Sequence, residues 1–170
     1  KGRTFDLLTL GQVLLRLSPP DNDRLSRGDT FVKQVGGAEL NVAVGASLLG
    51  LHTGVISKLP SHDIGSFMKG KIRSYGVSDD FFMYDDSPSA RVGIYYYENG
   101  AYPRKPKVIY DRANSSFYSL KIDEIPEKAY TASRCFHTSG ITLALSPKVR
   151  ETTIEMIKRF KAAGTLVSFD

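Results

Sequence analysis

Residues 36–50 read GGAELNVAVGASLLG, a double glycine that runs directly into small apolar residues. This pattern predicts a helix that begins after Gly37 and ends at Gly50, because a glycine commonly closes a helix. Glycines let backbone N–H groups approach a ligand closely, and the positive end of the helix dipole favours negative charge. We therefore expect the functional site to lie at the beginning of this helix.

The segments on either side alternate between short apolar strands and amphipathic helices. A strand over 5–10 precedes the glycine pair, a strand over 53–57 follows the helix, and helical spacing resumes with Asp63 as the predicted N-cap. Further along, a helix over 122–130 and a helix capped by Ser146 are predicted. This alternation predicts an α/β fold with a parallel sheet flanked by helices.

The alternation is interrupted where two strands follow each other without a helix, over 91–98 and 107–112. Short strands also occur between the first strand and the glycine pair. We predict that these strands form a small antiparallel β lid, with segments near 12–35 and 89–113.

The chain begins at Lys1 and stops at Asp170, directly after an apolar segment over 165–169 that is typical of a buried strand. Ligands of α/β sheets bind beyond the carboxyl ends of the strands. We therefore expect that the C-terminal part of the fold is missing and that Asp170 faces the ligand crevice.

The composition is that of a globular protein, with 41% hydrophobic and 24% charged residues among 170. No apolar run approaches the roughly 18 residues of a membrane span, so we expect a cytoplasmic protein without a membrane partner. The net charge of +5 is modest, and its densest cluster lacks the aromatic interleaving of a nucleic-acid site, so we expect no nucleic-acid partner.

Three segments together resemble the ribokinase-like (PfkB) carbohydrate kinases: GGAELNVAVGASLLG, LPSHDIG and FHTSGIT. Within that family, RLSPPDNDRL, GIYYYENGA and especially KVIYDRANS are most similar to the 2-keto-3-deoxygluconate kinases. The resemblance covers nearly the whole chain. Two positions depart from it: Gln12 stands where these kinases commonly carry an acid, and Leu143 replaces a common proline.

The resemblance implies phosphoryl transfer from ATP, with Mg²⁺, to a hydroxyl of a sugar or sugar acid bound between an α/β core and the lid. It places the catalytic aspartate base beyond Asp170, so it implies no catalytic residue within this chain. Fructokinase or another sugar kinase of the same family is an alternative, as is a non-catalytic sugar-binding module. The resemblance assigns substrate contacts to six residues: Gly36, Gly37, Asn41, Tyr95, Tyr110 and Arg112.

Each of these contacts has a structural alternative. The glycine pair could form only a tight turn, and Arg112 could form a solvated ion pair with Asp111. The helix is so apolar that we expect it to be buried nearly all round, which would require a hydrogen-bond partner for Asn41. The tyrosines could pack within the lid or in a contact between two lids, so we also expect a homo-oligomer.

Strand alternation sorts the aromatic residues by face. Tyr95 and Tyr97 are predicted to share one face of the lid, with Tyr96 on the other. By the same parity Tyr110 and Arg112 share a face, which favours a common ligand.

Overall fold

Two sheets and five helices make up the computed structural model, which describes residues 2–170. The strands are β1 (Phe5–Leu10), β2 (Leu14–Ser18), β3 (Val32–Gly36), β4 (Thr53–Pro60), β5 (Val77–Asp85), β6 (Gly93–Glu98), β7 (Lys107–Asp111), β8 (Ser133–Thr138) and β9 (Leu166–Phe169). The helices are α1 (Ala38–Leu48), α2 (Asp63–Ser74), α3 (Lys128–Ala132), α4 (Gly140–Leu143) and α5 (Pro147–Ala162).

The larger sheet is parallel throughout, with its strands in the order β5-β4-β1-β8-β9. Helices cover both of its faces, so a central strand such as β4 is buried along its whole length. One face packs against α5 around Phe136 and Phe160, whose rings stack at 4.0 Å between centroids. The other packs against α1 and α2, through side chains such as Leu40 and Met68. The predicted parallel sheet flanked by helices is confirmed.

The smaller sheet, here called the lid, has the strand order β3-β2-β6-β7. Its inner face joins the core through Leu15, Leu17, Val35 and Ile94. The predicted lid is confirmed, but it is mixed rather than antiparallel, because β2 and β6 pair in parallel. Each of these two strands follows a strand of the parallel core, β1 or β5, so both leave the core in the same direction.

Two local predictions are corrected by the structure. The N-cap of α2 is His62, whose Nδ1 accepts from the Gly65 backbone N–H at 3.4 Å, and Asp63 is the first helical residue. The predicted helix over 122–130 is instead a 3-10 turn (Ile122–Glu124) followed by α3, because Pro126 lies between them and cannot continue a helix.

Two segments expected to be buried are partly exposed. In α1 only Glu39, Leu40 and Ala43 are buried, because the helix rests on the sheet with one face alone. Leu48 and Leu49 on its outer side are 77% and 85% exposed. The strand β9 pairs only with β8 among the described strands, so its side chains also remain largely accessible.

Within residues 2–170, no helix is both long enough and apolar enough to cross a membrane.

Candidate functional site

A cavity of about 260 Å³ lies where the lid meets the carboxyl end of the parallel sheet. Open α/β sheets bind their ligands at this edge. The beginning of α1, the lid strands and α4 each contribute to its wall. The lining residues are Leu14, Gly37, Ala38, Asn41, Tyr95, Tyr110, Arg112 and Ile141. The cavity thus brings together five of the six residues predicted to contact a substrate.

The sixth residue, Gly36, is buried beneath the Tyr95 side chain. A Cβ at Gly36 would overlap the Tyr95 hydroxyl, so only glycine lets this tyrosine lie against β3. Gly37 has φ of 143°, and a Cβ there would stand 2.7 Å from the Gln12 backbone oxygen. Both glycines therefore permit close packing of other groups, and Gly37 also leaves the start of α1 open to the cavity.

Asn41 lies in the first turns of α1 and is exposed, with its side chain at the cavity wall. The expectation that this helix is buried nearly all round is therefore wrong on this side. Within residues 2–170 the side-chain amide of Asn41 forms no hydrogen bond with another residue. Because this side chain is exposed, water can bind its donor and acceptor atoms. Its donor and acceptor atoms are available to a ligand that enters the cavity.

Tyr95 and Tyr110 form a direct cross-strand pair between β6 and β7, with ring centroids 6.0 Å apart. Burial raises the pKa of Tyr95 above its ordinary value, and the nearby Arg16 opposes this in part. The Tyr95 hydroxyl therefore stays protonated at neutral pH and can both donate and accept a hydrogen bond. Tyr97 is on the same face by register, and the Arg16 guanidinium lies 4.5 Å from its ring centroid.

Arg112 follows β7 and is half-buried at the cavity wall. Its Nε donates to Gln12 Oε1 at 2.8 Å, and its guanidinium carbon lies 5.5 Å from the Tyr110 ring centroid. The alternative ion pair with Asp111 does not form, because Asp111 pairs with Arg91 at 2.8 Å. The positive charge of Arg112 therefore remains available to an anionic ligand.

The sequence reasoning missed three apolar wall residues: Leu14, Ala38 and Ile141. It also missed Glu39, which is 2% exposed and accepts hydrogen bonds from Ser139 Oγ and Thr142 Oγ1, both at 2.6 Å. These bonds join α1 to α4 and so hold Ile141 at the cavity. A carboxylate in the first turn of a helix is also favoured by the helix dipole. The sequence signal that could have indicated this role was the acidic residue Glu39 within the segment GGAELN.

Asp170 directly follows β9 and is exposed. Its backbone oxygen accepts from the Gly140 N–H at 2.9 Å, which places it beside the start of α4, and it does not line the cavity. Within residues 2–170, no group of three or more His, Cys, Asp or Glu side chains is arranged to hold a metal ion.

Comparison with protein families gives a match over residues 4–170 to the pfkB family carbohydrate kinases. The chain belongs to this family. The match spans the core and the lid together, so the cavity lies within the region that pfkB proteins share with this chain.

Two curated relatives of the chain are named as kinases of different substrates. The chain is 40% identical to 2-dehydro-3-deoxygalactonokinase of Haloferax volcanii, over 98% of the chain and 52% of that protein. It is 30% identical to 5-dehydro-2-deoxygluconokinase of Shouchella clausii, over 100% of the chain and 52% of that protein. The chain spans about half the length of the curated relatives it matches.

Solved structures show the same relationship. The 2-dehydro-3-deoxygluconokinase of Thermotoga maritima superposes with a TM-score of 0.91 at 36% identity, covering 98% of this chain and 50% of that one. A sugar kinase of Pyrococcus horikoshii, solved in complex with ATP, superposes with a TM-score of 0.82 at 25% identity, covering 96% and 52%.

Proposed function

We propose that the full-length protein transfers a phosphoryl group from ATP to a hydroxyl of 2-keto-3-deoxygluconate or a similar sugar acid. In this proposal the present chain supplies the acceptor site. The observation that carries it is the guanidinium of Arg112, which borders the cavity without an acidic partner among residues 2–170. A planar guanidinium matches a carboxylate through two parallel hydrogen bonds, which a neutral sugar cannot form.

The other wall residues suit the remainder of such a substrate. Tyr95 and Tyr110 offer apolar ring faces and hydroxyl groups, and Asn41 offers an amide. The lid lies over the cavity, where it can limit the access of water that competes for the phosphoryl group. The named relatives support an acid as acceptor, since two of them carry the name of a deoxygluconate kinase and one that of a deoxygalactonate kinase.

The nucleotide and its metal belong to this proposal but have no assigned residues in this chain. The complex of the Pyrococcus horikoshii sugar kinase supports ATP as the phosphoryl donor. The Mg²⁺ requirement stays a prediction for the full-length protein, as do the cytoplasmic location and the lack of nucleic-acid or membrane partners.

The test is a substrate panel for the full-length protein with ATP and Mg²⁺. We expect phosphorylation of 2-keto-3-deoxygluconate or 2-keto-3-deoxygalactonate with a kcat/KM at least about 100-fold above that for fructose. A ratio of this size corresponds to the free energy that one charged hydrogen-bonded contact contributes. Efficient turnover of fructose alone would favour the fructokinase alternative. Binding of the acid in a calorimeter without ADP release would favour a non-catalytic module.

We also propose that two copies of the protein associate through the lid. Val32 and Val108 lie on the same lid face as Tyr95 by register and are 45% and 42% exposed. Exposed apolar residues on a sheet of this kind are typical of a protein contact.

Sedimentation of the full-length protein tests this association. We expect an oligomer for the unchanged protein and a shift toward the monomer for Val108→Glu, because a buried unpaired carboxylate opposes the contact. Leu49→Glu, on the exposed side of α1, is the control and should leave the assembly unchanged. A monomeric unchanged protein, or an intact oligomer in Val108→Glu, would contradict the proposal.

A further inference from the structure

A second cavity, of about 570 Å³, lies at the carboxyl ends of β4 and β5. Lys58 near the end of β4 and Asp85 at the end of β5 both line it. It shares no lining residue with the cavity of about 260 Å³ beside Arg112, here called the acceptor cavity, and is more than twice as large. Because open α/β sheets bind ligands at this edge, the second cavity is a candidate binding site.

Every residue that lines the second cavity has a polar side chain. The wall contains five serines, an asparagine, a tyrosine, three lysines and three acids. The lysines are Lys58, Lys121 and Lys148, and the acids are Asp85, Asp123 and Glu124. The formal charges of this wall therefore balance. In the acceptor cavity, by contrast, the Arg112 guanidinium has no acidic partner among residues 2–170.

The buried ammonium group of Lys58 provides hydrogen-bond donors to the second cavity. Lys58 is only 9% exposed, and its Nζ donates to Glu124 Oε1 at 2.7 Å. Within residues 2–170 this is the only hydrogen bond of the ammonium group. An ammonium group has three N–H donors, so two of them remain for an oxygen atom inside the cavity. A buried donor without a partner costs stability, and an oxygen that reaches it removes this cost.

The acids of the second cavity provide acceptors. Burial tends to raise the pKa of Asp85, but the Ser87 backbone N–H, 3.1 Å from Oδ1, and the charge of Lys58 help to lower it on balance. Asp85 is therefore ionised at neutral pH. Asp123 is exposed and forms no ion pair among the described residues. Ionised carboxylates accept hydrogen bonds and donate none, so these groups suit a ligand that carries donors.

Two connections between the core and the lid form part of the wall of the second cavity. The chain enters β6 through residues 86–92 and leaves β7 through residues 112–116, and serines of both segments line the cavity. Ser116 joins the two connections. Its backbone N–H donates to the Arg91 oxygen at 2.9 Å, and its Oγ accepts from the Arg91 N–H at 3.2 Å. A ligand in this cavity would therefore lie against both connections.

We propose that the second cavity binds a small neutral compound with several hydroxyl groups, a sugar or a polyol, separately from the acceptor cavity. A hydroxyl group both donates and accepts, so it can bind the carboxylates and the Lys58 ammonium together. An anion would meet three carboxylates, and a cation would meet three ammonium groups. The half-buried ring of Tyr118 adds an apolar face against which the carbon atoms of a sugar can pack.

Calorimetric titration of the full-length protein, without ATP or a sugar acid, tests the proposal with glucose, galactose, mannitol and myo-inositol as probes. We expect at least one probe to bind with a Kd of about 1 mM or below. Lys58→Met should weaken this binding about ten-fold or more, because it removes the charged donors. Lys158→Met is the matched control, since Lys158 is exposed on α5 about 15 Å beyond Lys148 at the cavity, and it should leave the Kd unchanged.

Asn114→Gly keeps the test decisive if Lys58→Met does not fold. Asn114 is exposed at the second cavity and has φ of 55°, so glycine retains the backbone conformation while it removes the amide. We expect this variant to weaken the binding about three-fold or more. Tyr110→Ala, in the acceptor cavity, should leave the Kd unchanged.

Hydrogen exchange locates the bound probe in the unchanged protein. We expect the backbone amides of residues 86–92 and 112–119 to exchange more slowly with the probe present, and those of residues 36–41 at the acceptor cavity to be unaffected. Slower exchange at 36–41 alone would overturn the proposal, as would binding that neither Lys58→Met nor Asn114→Gly weakens. Absence of binding by all four probes, or tighter binding of inorganic phosphate than of any probe, would overturn it as well. These measurements do not involve phosphoryl transfer, so this proposal can fail while the proposed function stands.

Discussion

Replacing Arg112 by alanine is expected to raise the KM of the full-length protein for its sugar acid about 100-fold, since a charged hydrogen-bonded contact contributes about 1.5–3 kcal/mol. The KM for a neutral sugar such as fructose should change little, because only the acid carries the carboxylate that this guanidinium binds. Initial rates measured over a range of each substrate, with ATP in excess, give both constants. Arg112→Lys should recover part of the loss, because it keeps the charge without the planar fork.

Lys107→Ala is the matched control for this substitution. Lys107 is exposed on the same strand that leads to Arg112, and by register it lies on the lid face opposite Tyr110. Its removal lowers the charge of the lid by the same amount without touching the cavity. A similar loss of acid affinity in Lys107→Ala would show that the effect is a general attraction of anions. Equal losses for acid and fructose in Arg112→Ala would show that Arg112 acts through the fold.

Elements with strong local signals could be predicted from the sequence. The bounds of β1 follow from a short apolar run that ends at a glycine, and Ser146 caps α5 by accepting from the Val149 N–H at 3.1 Å, as its position before a proline indicates. The parallel pairing of β2 with β6 could not be predicted in this way. It joins segments about 80 residues apart and depends on how the core strands direct the chain into the lid.

The candidate site shows the same division between local and distant information. Gly37 and Asn41 belong to one recognisable segment, and strand parity correctly places Tyr95 and Tyr97 on one face of the lid and Tyr96 on the other. The contact between Gln12 and Arg112 spans 100 positions and leaves no periodic pattern in a single sequence. The exposure of one side of α1 was also not predicted. The apolar sequence of a helix indicates how much of its surface could be buried, whereas the neighbouring helices and strands determine how much is buried in the fold.

Gly37→Ala is the substitution expected to cost the most stability, about 3 kcal/mol of the free energy of unfolding, since strained backbone alone costs about 1–3 kcal/mol. Two effects combine at this position. The φ of 143° is one that residues with a Cβ rarely adopt, and the new Cβ would stand 2.7 Å from the Gln12 backbone oxygen. A backbone atom cannot move aside as the end of a flexible side chain can. To relieve the contact, the start of α1 must move away from Gln12, which lies between β1 and β2.

Gly45→Ala in the same helix is the control, because a Cβ there meets no atom within 4 Å. It should stabilise the protein by up to about 1 kcal/mol, since alanine favours a helix interior over glycine. Denaturant unfolding of the full-length protein measures both changes. If Gly37→Ala unfolds at the original denaturant concentration yet binds the acid poorly, the glycine serves ligand approach alone. If stability and binding fall together, the close packing of Gln12 against α1 is what shapes the site, and Arg112 depends on that packing through its contact with Gln12.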